Sequence, residues 1–239
     1  MNNVECIKNS FSGMYKDNGP ENGILQGMKY SGRATHCRAC LNAIVRIIKP
    51  VTILEVGSWH YDSTISMSNA MDTYLSEDKG LINSFDIKCG GYDGLGISTN
   101  LPKRIKPLYW YPYKTDYDDW KFSDPSIVHR DFIDYTNDEL FAKNEDILKS
   151  VTPDTGYDLI FLDGDHSYEG VKKDWEHVLK YTHKDTVIVI DNIWDERLRE
   201  VRRFFDSLDT TKWDFESWND ENLNMVQDTG ITLAYKDIK

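Results

Sequence analysis

Apolar residues recur along this chain in two periods. Over residues 34–49 they return every three or four positions, at Cys37, Leu41, Ile44, Val45 and Ile48, which predicts an amphipathic helix that stops before Pro50. Val51-Thr52-Ile53-Leu54-Glu55-Val56 follows, a β-branched run of the kind buried in a parallel sheet, and Gly57 closes it. The alternation then repeats. A helix is predicted from about Ser63 to Leu75, a second strand over Leu81–Phe85 closed by Asp86, and a third strand at Ile127-Val128-His129. A helix over Glu139–Ser150 leads to the clearest strand, Asp158–Leu162, which ends at Asp163. Val171, Trp175, Val178 and Leu179 mark the next helix, and Thr186–Ile190 the fifth strand, ending at Asp191. Leu198, Val201, Phe204, Phe205 and Leu208 mark a further helix. Two final strands, around Trp213–Trp218 and Gly230–Tyr235, are close enough to form an antiparallel hairpin.

Strands alternating with helices predict one α/β domain over residues 1–239. Its core is a Rossmann-like, doubly wound, seven-stranded sheet, mostly parallel, with a C-terminal antiparallel hairpin. Residues 1–32, rich in Asn, Gly and Ser, read as an irregular arm. The connection over residues 87–126 is long for a compact domain and reads as an insertion. Its aromatic run Tyr109-Trp110-Tyr111-Pro112-Tyr113 suits an acceptor lid, packing against its own domain, or a contact in a homodimer.

Composition narrows the partners. The net charge of -12 disfavours a phosphate backbone, so nucleic acid is not the expected substrate. Lys103-Arg104-Ile105-Lys106 is the compact basic exception. No stretch approaches a membrane span and the N-terminus lacks a signal-peptide pattern, so the expected compartment is the cytoplasm. Cys6, Cys37, Cys40 and Cys89 are too few for a disulfide framework. Cys37-x-x-Cys40 after His36 has no second Cys/His pair at a zinc-site spacing, so Cys37 is assigned to the buried helix face.

In a doubly wound sheet, ligands bind at the carboxyl ends of the strands. Here those ends carry Glu55, Asp86, Asp131, Asp163 and Asp191, five acids converging on one edge. Glu55-x-Gly57 is a tight turn lined by acid, suited to a cationic ligand such as S-adenosylmethionine, which bears a sulfonium and an amino group. The Gly-x-Gly-x-x-Gly turn of dinucleotide binders is absent. Asp86 can accept hydrogen bonds from both hydroxyls of a ribose. Asp163, Asp191 and Asn192 offer carboxylate and carboxamide oxygens, the donor set of Mg2+ or another hard divalent cation. Asp165 and Ser167 are also placed to cap the next helix.

The Glu55-x-Gly57 turn, the Asp163-Gly-Asp-His-Ser-Tyr-Glu-Gly-Val-Lys-Lys-Asp174 block and the Asp191-Asn192 pair resemble class I S-adenosylmethionine-dependent methyltransferases. The likeness is to small-molecule O-methyltransferases of the cephalosporin-hydroxylase and macrocin types, and of the catechol and caffeoyl-CoA types. It spans roughly residues 28–86 and 127–236. It implies that Glu55, Gly57 and Ser58 contact the methionine part of the cofactor, that Asp86 binds the ribose, that Asp131 binds the adenine amino group and that Asp163 also belongs to the cofactor site. It further implies Asp163, Asp191 and Asn192 as metal ligands and Asp165 as base. The chain departs from the family pattern at Tyr61, which stands where a second glycine is common.

The expected reaction is therefore metal-assisted methylation of a small-molecule hydroxyl, with Asp165 or His166 taking the proton. Two other functions fit the same fold. One is a methyltransferase-like binding module without activity. The other is a nicotinamide-dependent oxidoreductase, against which the missing glycines count.

Overall fold

The computed structural model describes residue 7 and residues 34–58, 61–76, 78–87, 101–111, 135–194, 199–218 and 231–235. Helix α1 (Ala34–Ile48) leads into β1 (Thr52–Val56), α2 (Asp62–Met71), β2 (Leu81–Asp86) and β3 (Ile105–Tyr109). Then come α3 (Asn137–Val151), β4 (Tyr157–Leu162), α4 (Tyr168–Val178), β5 (Thr182–Asp191), α5 (Arg199–Asp206), β6 (Asp214–Trp218) and β7 (Ile231–Tyr235).

The strands form one seven-stranded sheet in the order β3-β2-β1-β4-β5-β7-β6. Strands β1 to β5 pair in parallel, and β7 lies antiparallel to both β5 and β6. From β1 the chain winds outward to β2 and β3, then returns to place β4 on the other flank of β1. The order thus reverses between β1 and β4, and the crevice beyond their carboxyl ends is where such sheets bind ligands.

Alternation along each strand divides the core into two layers. Ile53, Ile82, Phe161, Val187 and Val189 face Leu41, Ile44, Val45, Met67 and Met71 of α1 and α2. Leu54, Phe85, Ile160, Ile188 and Ile190 face the opposite layer, with Leu148, Val171, Trp175, Val178, Val201 and Phe204 of α3, α4 and α5. The helices begin at defined caps. Thr136 and Glu139 form a capping box at α3, and Ser167 Oγ accepts from the Gly170 N–H at 3.0 Å at α4. Helix α2 ends at Met71, short of the predicted Leu75. Residues 73 and 74 instead make three-residue turns, with Thr73 N–H donating to Ala70 O and Tyr74 N–H to Met71 O.

The third described strand falls in a segment that the apolar pattern did not mark. Ile127-Val128-His129 lies outside the described residues, and β3 is Ile105–Tyr109, inside the segment read as an insertion. Among the described strands β3 pairs with β2 alone, and as an edge strand it tolerates exposed Lys106 and the N–H-less Pro107. The basic tetrapeptide is divided as well. Arg104 is buried and donates to Asp72 at 2.6 Å and to Ser76 O at 3.1 Å. Trp110 packs into its own domain, edge-on to Phe85 at 5.1 Å. Pro112 and Tyr113 lie outside the described residues, as do residues 1–6 and 8–32 of the arm.

Candidate active site

At the end of β1, Gly57 adopts φ 92°, a conformation that side chains resist. Its N–H donates to Phe85 O at 2.8 Å, and Ser58 N–H donates to the same carbonyl at 3.2 Å. Asp163 N–H donates to Val56 O at 2.9 Å, so the turn is seated against the end of β4. A Cβ on Gly57 would stand 1.9 Å from Asp163 O. This close approach requires glycine independently of φ.

Glu55 is fully buried at this turn. It accepts hydrogen bonds from Ser63 Oγ at 2.5 Å, from Ser84 Oγ at 2.6 Å and from Thr64 Oγ1. Burial pushes its carboxyl up to about 7; the three hydroxyls oppose the shift and the Asp163 carboxylate adds to it. In this arrangement Glu55 ties the start of α2 and the middle of β2 to the turn. Ser58 is also buried, and its Oγ meets no partner among the described residues. A buried hydroxyl of this kind is costly without a partner, which suits a turn that completes itself on a polar ligand.

Tyr61 sits at the start of α2 with φ 60° and ψ 18°, and is almost wholly buried. The backbone therefore takes the left-handed conformation that a glycine would supply, while the ring is buried. Asp86, half-buried, closes β2, and its carbonyl accepts from Trp110 N–H at 2.9 Å. Asp131 lies outside the described residues.

The ends of β4 and β5 meet through side chains. Asn192, also left-handed at φ 63°, donates from Nδ2 to Asp163 Oδ1 at 2.7 Å. His166 Nε2 lies 3.3 Å from Asp163 Oδ1 and 3.3 Å from Asn192 Nδ2. Asp191 Oδ1 accepts from Asn192 N–H at 2.9 Å. Asp163 and Asn192 are thus brought together, with Asp191 flanking them. The donor set suits a hard divalent cation once the carboxamide presents its oxygen. Among the described residues no group of three or more His, Cys, Asp or Glu side chains gathers at metal-binding distance.

Asp165 and His166 separate at the loop. Asp165 turns toward α4: its Oδ1 accepts from Ser167 N–H at 2.7 Å, and a Cβ on Gly170 would stand 2.1 Å from its Cγ. His166 turns toward Asp163 and Asn192. Below the loop lies a residue to which the sequence reading gave no role. Asp174 is buried, accepts from Trp110 Nε1 at 3.0 Å, and lies so close under Gly164 that a Cβ there would meet its Oδ2 at 2.7 Å. Burial pushes its carboxyl up to about 8 and the Asp165 carboxylate adds to this. The Asp165 N–H and the Trp110 indole pull it back, as does nearby His166. The signal was present in the sequence, since position 174 falls on the same helix face as Val171, Trp175 and Val178.

A reversed strand order, an acid-lined glycine turn and paired oxygen donors at adjacent strand ends are the features of a class I S-adenosylmethionine-dependent methyltransferase. Residues 54–193, more than half of the chain, match the model of a methyltransferase domain, and the chain belongs to that family. This sets aside the nicotinamide-dependent alternative. No curated protein sequence matches the chain. Among solved structures it is similar to an O-methyltransferase of Bacillus cereus in complex with SAH, at 16% identity and TM-score 0.56, covering 98% of this chain and 90% of that one. It is also similar to TomG of Streptomyces achromogenes, an O-methyltransferase of tomaymycin synthesis in complex with SAM, at 15% identity and TM-score 0.53, covering 98% and 90%. An SAH-bound methyltransferase of Podospora anserina gives 14% identity and TM-score 0.50, covering 98% and 88%. At these identities the likeness establishes the shared fold. No helix among the described residues is long and apolar enough to cross a membrane.

Proposed function

We propose that the protein transfers the methyl group of S-adenosylmethionine to a hydroxyl of a small molecule in the cytoplasm. The observation that carries this reading is the contact of two sites. The Gly57 turn, suited to the methyl donor, abuts Asp163, and Asp163 is joined to His166 and Asn192. Donor and acceptor would meet across one strand end, where alignment supplies much of the rate gain.

In this reading Ser58 and the Gly57 turn hold the methionine part of the donor, Asp86 its ribose, and Asp131 its adenine amino group. Asp163, Asp191 and Asn192 would hold a divalent cation, whose positive charge would lower the pKa of the acceptor hydroxyl. The acceptor oxygen attacks the methyl carbon, a C–O bond forms as the C–S bond breaks, and the hydroxyl proton passes to His166 Nε2. The products are a methyl ether and S-adenosylhomocysteine. The placement of His166 beside Asp163 favours it over Asp165 as the proton acceptor, because Asp165 serves the start of α4. Glu55 acts by fixing the turn.

A second reading rests on Tyr61. Its buried ring beside the cofactor turn suits a methyltransferase fold kept as a binding module. Calorimetry with S-adenosylmethionine, followed by label transfer to a panel of phenols, catechols and sugars, separates the two. Binding with transfer supports the enzyme, binding without transfer to any acceptor supports the module, and absence of binding overturns both.

A further inference from the structure

Directly after Asn192 the chain enters the wall of an open cleft of about 710 Å³, lined by Ile193, Trp194, Arg199, Arg202, Arg203 and Asp206. Three arginines on one short helix are out of keeping with a chain of net charge -12. Their placement is specific. The Arg202 guanidinium lies over the Trp194 ring at 4.4 Å, and that of Arg203 over the Tyr168 ring at 4.7 Å. Planar cations stacked on aromatic faces are held flat, with their N–H edges directed outward.

Among the described residues, acids engage part of two of these guanidinium groups. Asp206 takes the Nε of Arg202, at 2.9 and 3.1 Å, and the two Nη groups of Arg202 make no hydrogen bond among the described residues. Glu200 takes Nη1 of Arg203 at 3.1 Å. The indole N–H of Trp194 is buried and has no acceptor among the described residues.

We infer that the acceptor carries an anionic group, carboxylate or phosphate, on a flat apolar body, and that this group docks against Arg202 and Arg203 while its hydroxyl lies at Asp163 and Asn192. The inference rests on the methyl-transfer reading and names the substrate class of that site. Fork-shaped guanidinium groups match the paired oxygens of carboxylate and phosphate, and Trp194 with Ile193 offers the apolar surface on which the body rests.

The test uses the full chain saturated with S-adenosylhomocysteine and titrated in a calorimeter with benzoate, phenyl phosphate and neutral benzamide. At least one anion is expected to bind about tenfold or more tightly than benzamide, and which one does so identifies the anionic group. The Arg202→Gln/Arg203→Gln double variant should lose that preference while binding S-adenosylhomocysteine normally, which also verifies its fold. Asp206→Asn, which releases the Arg202 Nε, should tighten anion binding severalfold. Equal binding of anions and benzamide, no anion binding at all, or a preference that survives in the double variant overturns the inference. Failure of the wild-type chain to bind S-adenosylhomocysteine overturns the methyl-transfer reading itself.

Discussion

A Cβ on Gly57 would stand 1.9 Å from the carbonyl oxygen of Asp163, so the turn after β1 and the end of β4 touch through backbone alone. Gly57→Ala must both adopt φ 92° and push β4 away. Strain and displacement together should cost at least about 2 kcal/mol of stability. S-adenosylhomocysteine binding should disappear as well. Chemical denaturation and calorimetry on the same sample check both effects. A variant of normal stability and affinity would show that the turn can open without consequence.

Asp86 closes β2, the strand next to β1, where the strand order reverses. If it receives the ribose hydroxyls, Asp86→Ala should weaken S-adenosylmethionine binding by about 1.5–3 kcal/mol, the range for hydrogen bonds to a charged group. Asp86→Asn should retain part of the affinity, because a carboxamide oxygen still accepts one bond. Unchanged affinity in both variants would remove Asp86 from the site.

The parts of this architecture that were legible in the sequence are those with two-sided constraints. Strands β1, β4 and β5 are covered on both faces, so Ile53-Leu54, Ile160-Phe161-Leu162 and Val187–Ile190 are apolar without a break. The acids that follow them stand out for the same reason. Strand β3 was not legible, because an edge strand with Pro107 and exposed Lys106 lacks that pattern. The directions of Asp165 and His166 were not legible either. They are neighbours in sequence, and the choice between helix start and strand end is made by Gly170 on one side and Asn192 on the other. Asp174 was legible only in its place on the apolar face of α4; its partner Trp110 lies far away in the chain, so the contact that accompanies its burial was not.

Asp174 should make stability depend on pH. An unfolded aspartate titrates near 3.8, whereas here burial holds the carboxyl at about 8. The folded state therefore binds the proton more tightly. Its contribution is fully present below about pH 4 and is lost progressively as pH rises from there through about 8, by up to about 1.4 kcal/mol per pH unit. Asp174→Asn, neutral throughout, should remove this slope and leave the smaller one due to Glu55, whose carboxyl stands at about 7. Denaturation midpoints at pH 5 and pH 8 check this. An equal loss in wild type and variant would mean that Asp174 is ionised in the fold.

The cation reading makes its own demand. Methyl transfer to any acceptor found should fall with a chelator and return with magnesium or manganese. Asp163→Ala and Asn192→Ala should raise the metal concentration needed, since each removes one oxygen ligand. Full activity in excess chelator would mean that the contact between Asp163 and Asn192 orders the strand ends and holds no metal.

In the methyl-transfer reading, the divergence of two adjacent side chains bears on which of them takes the proton. His166 Nε2 lies 3.3 Å from Asp163 Oδ1, at the place where an acceptor hydroxyl would be bound. Asp165 accepts from Ser167 N–H and lies against Gly170, at the start of α4. His166→Ala should therefore lower kcat by about 10²–10⁴-fold, the usual range for loss of a general base, with stability nearly unchanged. Asp165→Asn should lower stability by about 1 kcal/mol through a weakened cap and leave kcat within a small factor. Single-turnover rates and denaturation curves for both variants, each measured with saturating S-adenosylmethionine, distinguish the roles. If Asp165→Asn removes turnover and His166→Ala does not, the base is Asp165, and the loop must rearrange to bring its carboxylate out from the start of α4.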